Sequence, residues 1–369
     1  MKRQGAIVKE NSLRSMAKAF AFAAFVAAAA GGSAYAADLP MKAPPPPKPV
    51  PFFFVNDTSV SFTYFFDYLD PGVSGSSNTV PGGIAGQSNA FGMAQGSLDH
   101  FDLWEYGATL IHTEVNQYSD HAPIGGLAGA AGEREFFGFA QETLSLDALT
   151  HSKAFTTPIT NDVGLLMRVT AGTDNHALAE ETTQYAVGPN FDFVLPKILG
   201  GSMQWAITAY KEFTHSSFDS CAACGPGGTP IGGNRDFEWT YKIFEFNVLP
   251  LGPLLGSWAD PAHIVNIASL TGPKGTGIST ADCLALGCFG AAGTFNNNET
   301  KAELFEDVRL SVDTSKIFWG KPGIWDTYVG YRYWENMYGT NHNAALFSTI
   351  APGTSVMSTA YLGTTYHFK

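Results

Sequence analysis

The sequence predicts an all-β fold, a transmembrane antiparallel β-barrel of about twelve strands, of the outer-membrane type. Three observations predict it. An export leader is followed by no second long apolar run, apolar and polar residues alternate in a series of segments, and the connections are long and polar on one side but mostly tighter on the other. Successive side chains on a strand point to opposite faces, so alternation gives each strand one oily and one wet surface. A barrel in lipid needs that pattern with the oily face outward.

The leader comes first. Lys2, Arg3, Lys9, Arg14 and Lys18 precede an apolar stretch from Ala19 to Ala30, and Ala34-Tyr35-Ala36 follows as a small-residue cleavage site. That apolar core is too short to cross a bilayer as a helix, so residues 1–36 read as a secretory signal peptide. Residues 37–57 read as a spacer, because Pro44 to Pro47 and Pro49 hold the backbone extended and give no ladder donors. Residues 58–369 are left for the barrel. The whole chain has 33 acidic and 21 basic side chains, net −12; the leader holds five basic groups and Glu10, so the remainder carries −16. This balance excludes a nucleic acid polymer as partner, since phosphates require a basic surface.

Twelve strand-like segments follow, at roughly 58–68, 88–99, 101–114, 135–147, 162–173, 181–191, 202–214, 236–248, 262–271, 300–313, 324–336 and 357–368. Trp325, Thr327, Val329, Tyr331 and Tyr333 alternate with Asp326, Tyr328, Gly330, Arg332 and Trp334. Val163, Leu165, Met167 and Val169 alternate with Asp162, Arg168 and Thr170, and Met203, Trp205, Ile207 and Ala209 with Gln204, Thr208, Tyr210 and Glu212. The last segment separates Ala360, Leu362, Tyr366 and Phe368 from Thr359, Gly363, Thr365 and His367, and its aromatic end suits a closing strand that the barrel-assembly machinery reads.

Four segments depart from the rule, and in 88–99 and 262–271 the alternation is only faint. In 236–248 the apolar face passes from Phe237, Trp239, Tyr241 and Ile243 to Phe244, Phe246 and Val248, for which a bulge near Ile243 is expected. In 300–313 the oily face of Leu304, Val308, Leu310 and Val312 is interrupted by Glu306, so a bulge or a local change of register is expected there too. If the first strand runs outward, the outward connections 69–87, 115–134, 174–180, 215–235, 272–299 and 337–356 are rich in Gly, Ser, Asn and Thr. The opposite ones include a tight turn at Asp99-His100.

The wet faces give the lining of the interior: Phe65, Asp67, Glu105, Arg168, Tyr210, Glu238, Lys242, Phe305, Asp307, Arg309, Asp326, Tyr328, Arg332, Trp334 and Tyr361. Charges that merely brace neighbouring strands need no aromatic rings between them; here they are interleaved with rings. Rings stack on flat solutes while carboxylates and guanidinia hydrogen-bond to hydroxyls and other polar groups. Cys221, Cys224, Cys283 and Cys288, four in an exported chain, are disulfide candidates whose three connectivities stay open; a four-Cys zinc site ranks below that, and no metal is expected. No Walker loop, dinucleotide fingerprint or metal-binding His pair occurs, so no cofactor is expected.

Phe101-Asp102-Leu103-Trp104-Glu105-Tyr106-Gly107, Ser145-Leu146-Asp147-Ala148-Leu149-Thr150, and Phe237-Glu238-Trp239-Thr240-Tyr241-Lys242 with Val248-Leu249-Pro250-Leu251 resemble, in this order, segments of the nucleoside-specific channel-forming outer-membrane proteins, the Tsx-like family. The resemblance runs in short patches from about Phe91 to the C-terminus. It departs at Gln141 and Thr143, where the family pattern has an acidic and a basic residue. It implies a monomeric twelve-stranded barrel in the bacterial outer membrane, surrounded by outer-membrane lipid, through which nucleosides or similar small polar solutes diffuse. The rival readings are a general diffusion porin, a structural or adhesive barrel with a plugged interior and, ranked lower, an enzyme built on His215-Ser216-Ser217. No enzyme is expected, because adjacency of His and Ser in sequence is not a triad.

Overall fold

A computed structural model describes residues 52–69, 91–118, 134–174, 181–196, 198–215, 235–274, 300–339 and 355–368. Residues 1–51, which hold the expected leader and most of the expected spacer, and all four cysteines lie outside them. The strands are β1 (Phe53–Tyr68), β2 (Phe91–Trp104), β3 (Gly107–Tyr118), β4 (Arg134–Ser145), β5 (Thr160–Asp174), β6 (Glu181–Phe193), β7 (Gly200–His215), β8 (Arg235–Pro250), β9 (Ala262–Thr271), β10 (Glu303–Asp313), β11 (Trp325–Glu335) and β12 (Val356–Phe368). Each pairs antiparallel with its neighbours in sequence, and β12 returns to β1, so the sheet is a closed twelve-stranded barrel. The closing pair runs in unbroken register from Thr58↔Phe368 to Phe65↔Tyr361, which leaves no free edge there.

Most boundaries fall within a few residues of expectation, with two corrections. β1 begins at Phe53, inside the stretch read as spacer, because prolines stop at Pro51 and the next residues can donate to the ladder. The β2–β3 turn lies at Glu105-Tyr106 instead of Asp99-His100. Asp99 and His100 are strand residues with opposite loyalties: Asp99 accepts from His112 Nδ1 at 2.6 Å, and His100 reaches Asp102 at 2.8 Å. Two adjacent polar residues resemble a turn in sequence, yet each has a partner on its own face.

Orientation follows from exposure. Val60, Phe62, Val115 and Val329 are 43, 56, 56 and 58% exposed, whereas their strand neighbours Ser59, Thr63, Asn116 and Tyr328 are buried at 7, 5, 1 and 5%. The apolar side therefore faces out. Aromatic residues flank this aliphatic band at both ends. Tyr366, Phe368 and the stacked pair Trp319–Trp325 mark the short-turn end, and Tyr64, Phe66 and the Tyr185–Phe213 pair mark the other. An aliphatic belt between aromatic girdles is the outer surface of a membrane-spanning barrel.

One sector inverts the pattern. β8 pairs with β7 without a shift from Gly200↔Val248 to Tyr210↔Glu238, and β9 pairs with β10 without one along its whole length. No bulge occurs near Ile243 or Glu306. Phe244, Phe246 and Val248 therefore face inward with Val265 and Ile267, while Glu245, Asn247, Asn266 and Glu306 face out. Eleven consecutive pairs hold β8 to β7 and ten hold β9 to β10, so the hydrogen-bond frame prevails over side-chain polarity.

The short-turn end is built by side-chain caps. Ser145 Oγ accepts from Ala148 N at 3.0 Å to start helix α1 (Leu146–Leu149), and Asp313 Oδ1 accepts from Lys316 N at 2.8 Å to start helix α3 (Thr314–Trp319). Between them, helix α2 (Gly252–Leu255) joins β8 to β9. These caps satisfy amides that a helix end would otherwise leave unpaired.

Candidate functional site: the barrel lumen

Strand alternation sends one residue in two into the lumen, and the inward set is neither a plain water channel nor a plain apolar core. Its centre on the β10–β12 side is Arg332. Arg332 Nε donates to Asp307 Oδ2 at 2.8 Å, and Tyr361 Oη donates to Asp307 Oδ1. The same guanidinium lies 4.6 Å from the Phe65 ring centroid, 5.3 Å from Phe305 and 5.8 Å from Tyr361. Arg309 lies 4.7 Å above Tyr328, whose hydroxyl is 2.8 Å from Thr63 Oγ1. Guanidinium on ring is a favourable contact that strengthens where water is excluded.

On the β4–β8 side, Arg168 stacks 3.7 Å over Phe139 and donates to Thr170 and Gln141. Register places Lys242 on the same inner surface, opposite Ala206. Lys274 Nζ reaches Glu303 at 3.5 Å and lies 5.9 Å from the Tyr210 ring. Tyr210 Oη donates to Glu212 at 2.6 Å, and Glu238 faces Tyr210 across the β7–β8 pair.

A third wall, β2–β4, was not singled out from sequence. His112 places its two ring nitrogens 2.6 Å from Asp99 and 3.0 Å from Glu114. Asn116 Nδ2 donates to both Glu114 and Glu135, Gln95 Nε2 donates to Glu114 and to Asn116 Oδ1, and Tyr118 Oη donates to Glu135 at 2.6 Å. The alternation of Ile111, Thr113 and Val115 with His112, Glu114 and Asn116 carried this signal, but the misplaced turn shortened the strand that would have framed it.

The lumen is narrowed from the long-loop end. After β11 the chain folds inward at Asn336–Gly339, with positive φ at Asn336 (51°) and Tyr338 (57°). Met337 is wholly buried, Tyr338 packs 4.9 Å from Trp334, and Tyr338 Oη donates to Glu135 on the opposite wall at 3.5 Å. Non-glycine residues in that region cost energy and persist where packing holds them. Met337 joins Phe65, Tyr68, Met93, Tyr118, Tyr328, Met357 and Tyr361 in one buried cluster inside the barrel.

Of the residues expected to line the interior, Phe65, Arg168, Tyr210, Glu238, Lys242, Phe305, Asp307, Arg309, Asp326, Tyr328, Arg332, Trp334 and Tyr361 share the inward register. Asp326 meets His367 Nε2 at 3.4 Å near the short-turn end, well away from Arg332. Two residues differ. Glu105 sits exposed in the β2–β3 turn, and Asp67 is exposed where β1 shifts register between Phe65 and Tyr68. The side chain of His215, and Ser216 and Ser217, lie outside the described residues.

No protein-family model matches the sequence, and no curated protein matches it. Among solved structures, the translocator domain of autotransporter NalP from Neisseria meningitidis is similar over 85% of this chain and 89% of that one, at 8% identity and a TM-score of 0.33. The outer membrane protein opdK from Pseudomonas aeruginosa is similar over 86% of this chain and 100% of that one, at 6% identity and a TM-score of 0.28.

Proposed function

We propose that the protein is an outer-membrane channel for passive, selective diffusion of small polar solutes, with nucleosides as the class its lumen suits best. The observation that carries this reading is the Arg332–Asp307 pair set among Phe65, Phe305 and Tyr361. A flat base stacks on rings and guanidinia, and a sugar exchanges hydrogen bonds with carboxylates, so a nucleoside finds both halves of its surface matched. Transit needs weak, repeated contacts, which rings spaced along charged walls supply. The leader and the belted exterior support the outer membrane as location, with the short-turn end toward the periplasm and β12 as the strand read during assembly.

The deciding experiment is reconstitution in planar bilayers, recording single-channel conductance and its block by added nucleosides against sugars and amino acids. Nucleoside block at concentrations where sugars have no effect is the expected result. Conductance without block favours a general diffusion porin.

A second reading has its own observation. Phe65, Met337 and Met357 are 0% exposed, so this part of the lumen is packed, as in a structural barrel with a plugged interior. Normal insertion with no conductance would support this reading, and conductance appearing when residues 336–339 are replaced by a Gly-Ser linker would locate the plug in that segment.

A further inference from the structure

The outer surface of β2–β4 carries a feature that the lumen does not use. Near the short-turn end, where this face should meet lipid, register turns His100, Asp102 and Glu142 outward together with Leu98 and Ile111. Asp102 is only 8% exposed. Its Oδ2 accepts from His100 Nε2 at 2.8 Å, while Oδ1 is buried without a hydrogen-bond partner. An orphaned carboxylate oxygen away from water is unfavourable and calls for a donor from outside the chain.

The surroundings say which donor. Glu142, two strands along, has both oxygens occupied, by Trp104 Nε1 at 3.1 Å and Thr109 Oγ1 at 2.7 Å. Two carboxylates thus face one imidazole, whose other nitrogen lies 2.8 Å from Thr58 Oγ1. The balance is negative. A groove of about 260 Å³, lined by Phe52, Phe53, Asp102, Trp104 and Thr109, lies beside the Asp102 carboxylate. Phe52 and Trp104 are 5.5 Å apart and inclined by 31°, with Phe53 edge-on to Phe52 at 4.9 Å.

Aromatic faces beside a desolvated carboxylate favour an organic ammonium group. A hard divalent ion would want several oxygens, and this groove offers one that is free. Depth completes the argument: Asp102 is three residues from the Glu105-Tyr106 turn, roughly 10 Å along the strand, at the level of lipid headgroups.

We propose that this groove binds the primary ammonium headgroup of phosphatidylethanolamine, which has N–H groups to give Asp102 Oδ1, from the membrane leaflet at the short-turn end. The ammonium sits against Asp102 Oδ1 and the Phe52–Trp104 rings, and the acyl chains run along the apolar belt past Leu98. The occupant is a lipid because the groove faces the bilayer and not the lumen.

The test is lipid retention by the full chain in a non-ionic maltoside micelle. The protein is mixed with equal amounts of phosphatidylethanolamine, phosphatidylcholine and phosphatidylglycerol of one acyl composition, and retained lipid is counted by native mass spectrometry. Phosphatidylethanolamine is expected to be retained over phosphatidylglycerol on the order of tenfold, and over phosphatidylcholine, whose quaternary ammonium has no N–H to donate, by a smaller factor. Asp102→Asn is expected to bring the ratio to phosphatidylglycerol close to one, and Trp104→Leu to lower it several-fold, in protein that still shows the folded band on unheated gels. Glu142→Gln serves as a second carboxylate variant should Asp102→Asn fail to fold. Equal retention of phosphatidylglycerol by the unmodified protein, or an unchanged ratio in the folded carboxylate variants, would overturn the proposal.

Discussion

The wall formed by β10, β11, β12 and β1 and the wall formed by β8 and β9 obey the same hydrogen-bond rules and reach opposite surfaces. On the first, Asp307, Tyr328, Arg332, Thr359 and Tyr361 point in and Val329, Tyr331 and Leu362 point out. On the second, Phe244, Phe246 and Val248 of β8 point in and Glu245 and Asn247 point out with Asn266 of β9, and the outward polar strip runs on across the seam to Glu306 of β10. The difference teaches that a ladder fixes which residues share a face, while polarity says which way that face should turn only when most of the strand agrees. β8 is divided, with Trp239 72% exposed at one end and Glu245 on the same face toward the other.

The largest effect is expected where the clean wall is tightest. Gly330 has no side chain because the Tyr361 ring lies where its Cβ would be. Gly330→Leu is expected to abolish barrel formation, read as loss of the heat-modifiable band, since core overpacking here cannot be relieved by a surface rotamer. A folded variant would show that Tyr361 is free to leave the lumen.

Next comes charge. Arg332→Leu leaves Asp307, 3% exposed, without its partner. The expected loss is about 3–5 kcal/mol in urea unfolding, with most of it recovered in Arg332→Leu/Asp307→Leu. Equal stability of the single and double variants would show that solvent reaches Asp307.

The inverted wall should answer in the opposite direction. If its outward carboxylates meet lipid, Glu245→Leu and Glu306→Leu should each raise stability, by about 1–2 kcal/mol, because carboxylates on a lipid face are unfavourable though less so than cations. A fall instead would mean that a polar surface covers that wall.

The smallest effect belongs outside both walls. Asp147, in the β4–β5 connection, is pushed up by partial burial but held on balance below its ordinary 3.8 by Thr156 Oγ1 and the Phe155 amide. A depressed carboxyl stabilises the fold above that ordinary value and loses the contribution as pH falls through the lower folded one. Asp147→Asn should therefore be slightly less stable at neutral pH and converge with the unmodified protein in acid, measured by unfolding across pH 2–7.

The twelve strands and the inward face of β11 were legible because Asp326, Tyr328, Arg332 and Trp334 never leave one parity. The Asp99–His112–Glu114–Glu135 wall was not, because its members come from three strands and the frame of β2 was cut at Asp99-His100. Likewise Asn336–Gly339 reads as ordinary loop composition. Its inward fold depends on Tyr338 meeting Glu135, a contact spanning about two hundred residues, which no local pattern encodes.

The eight unbroken pairs between β1 and β12 have a consequence for the order of the chain. Thr58 and Phe368 face each other at one rim, so the sheet has no preferred first strand, and a cut at Glu105-Tyr106 with Phe368 linked to Phe53 would preserve every ladder. In such a circular permutant β12 would still close the sheet, but it would be followed in the chain by β1 and β2.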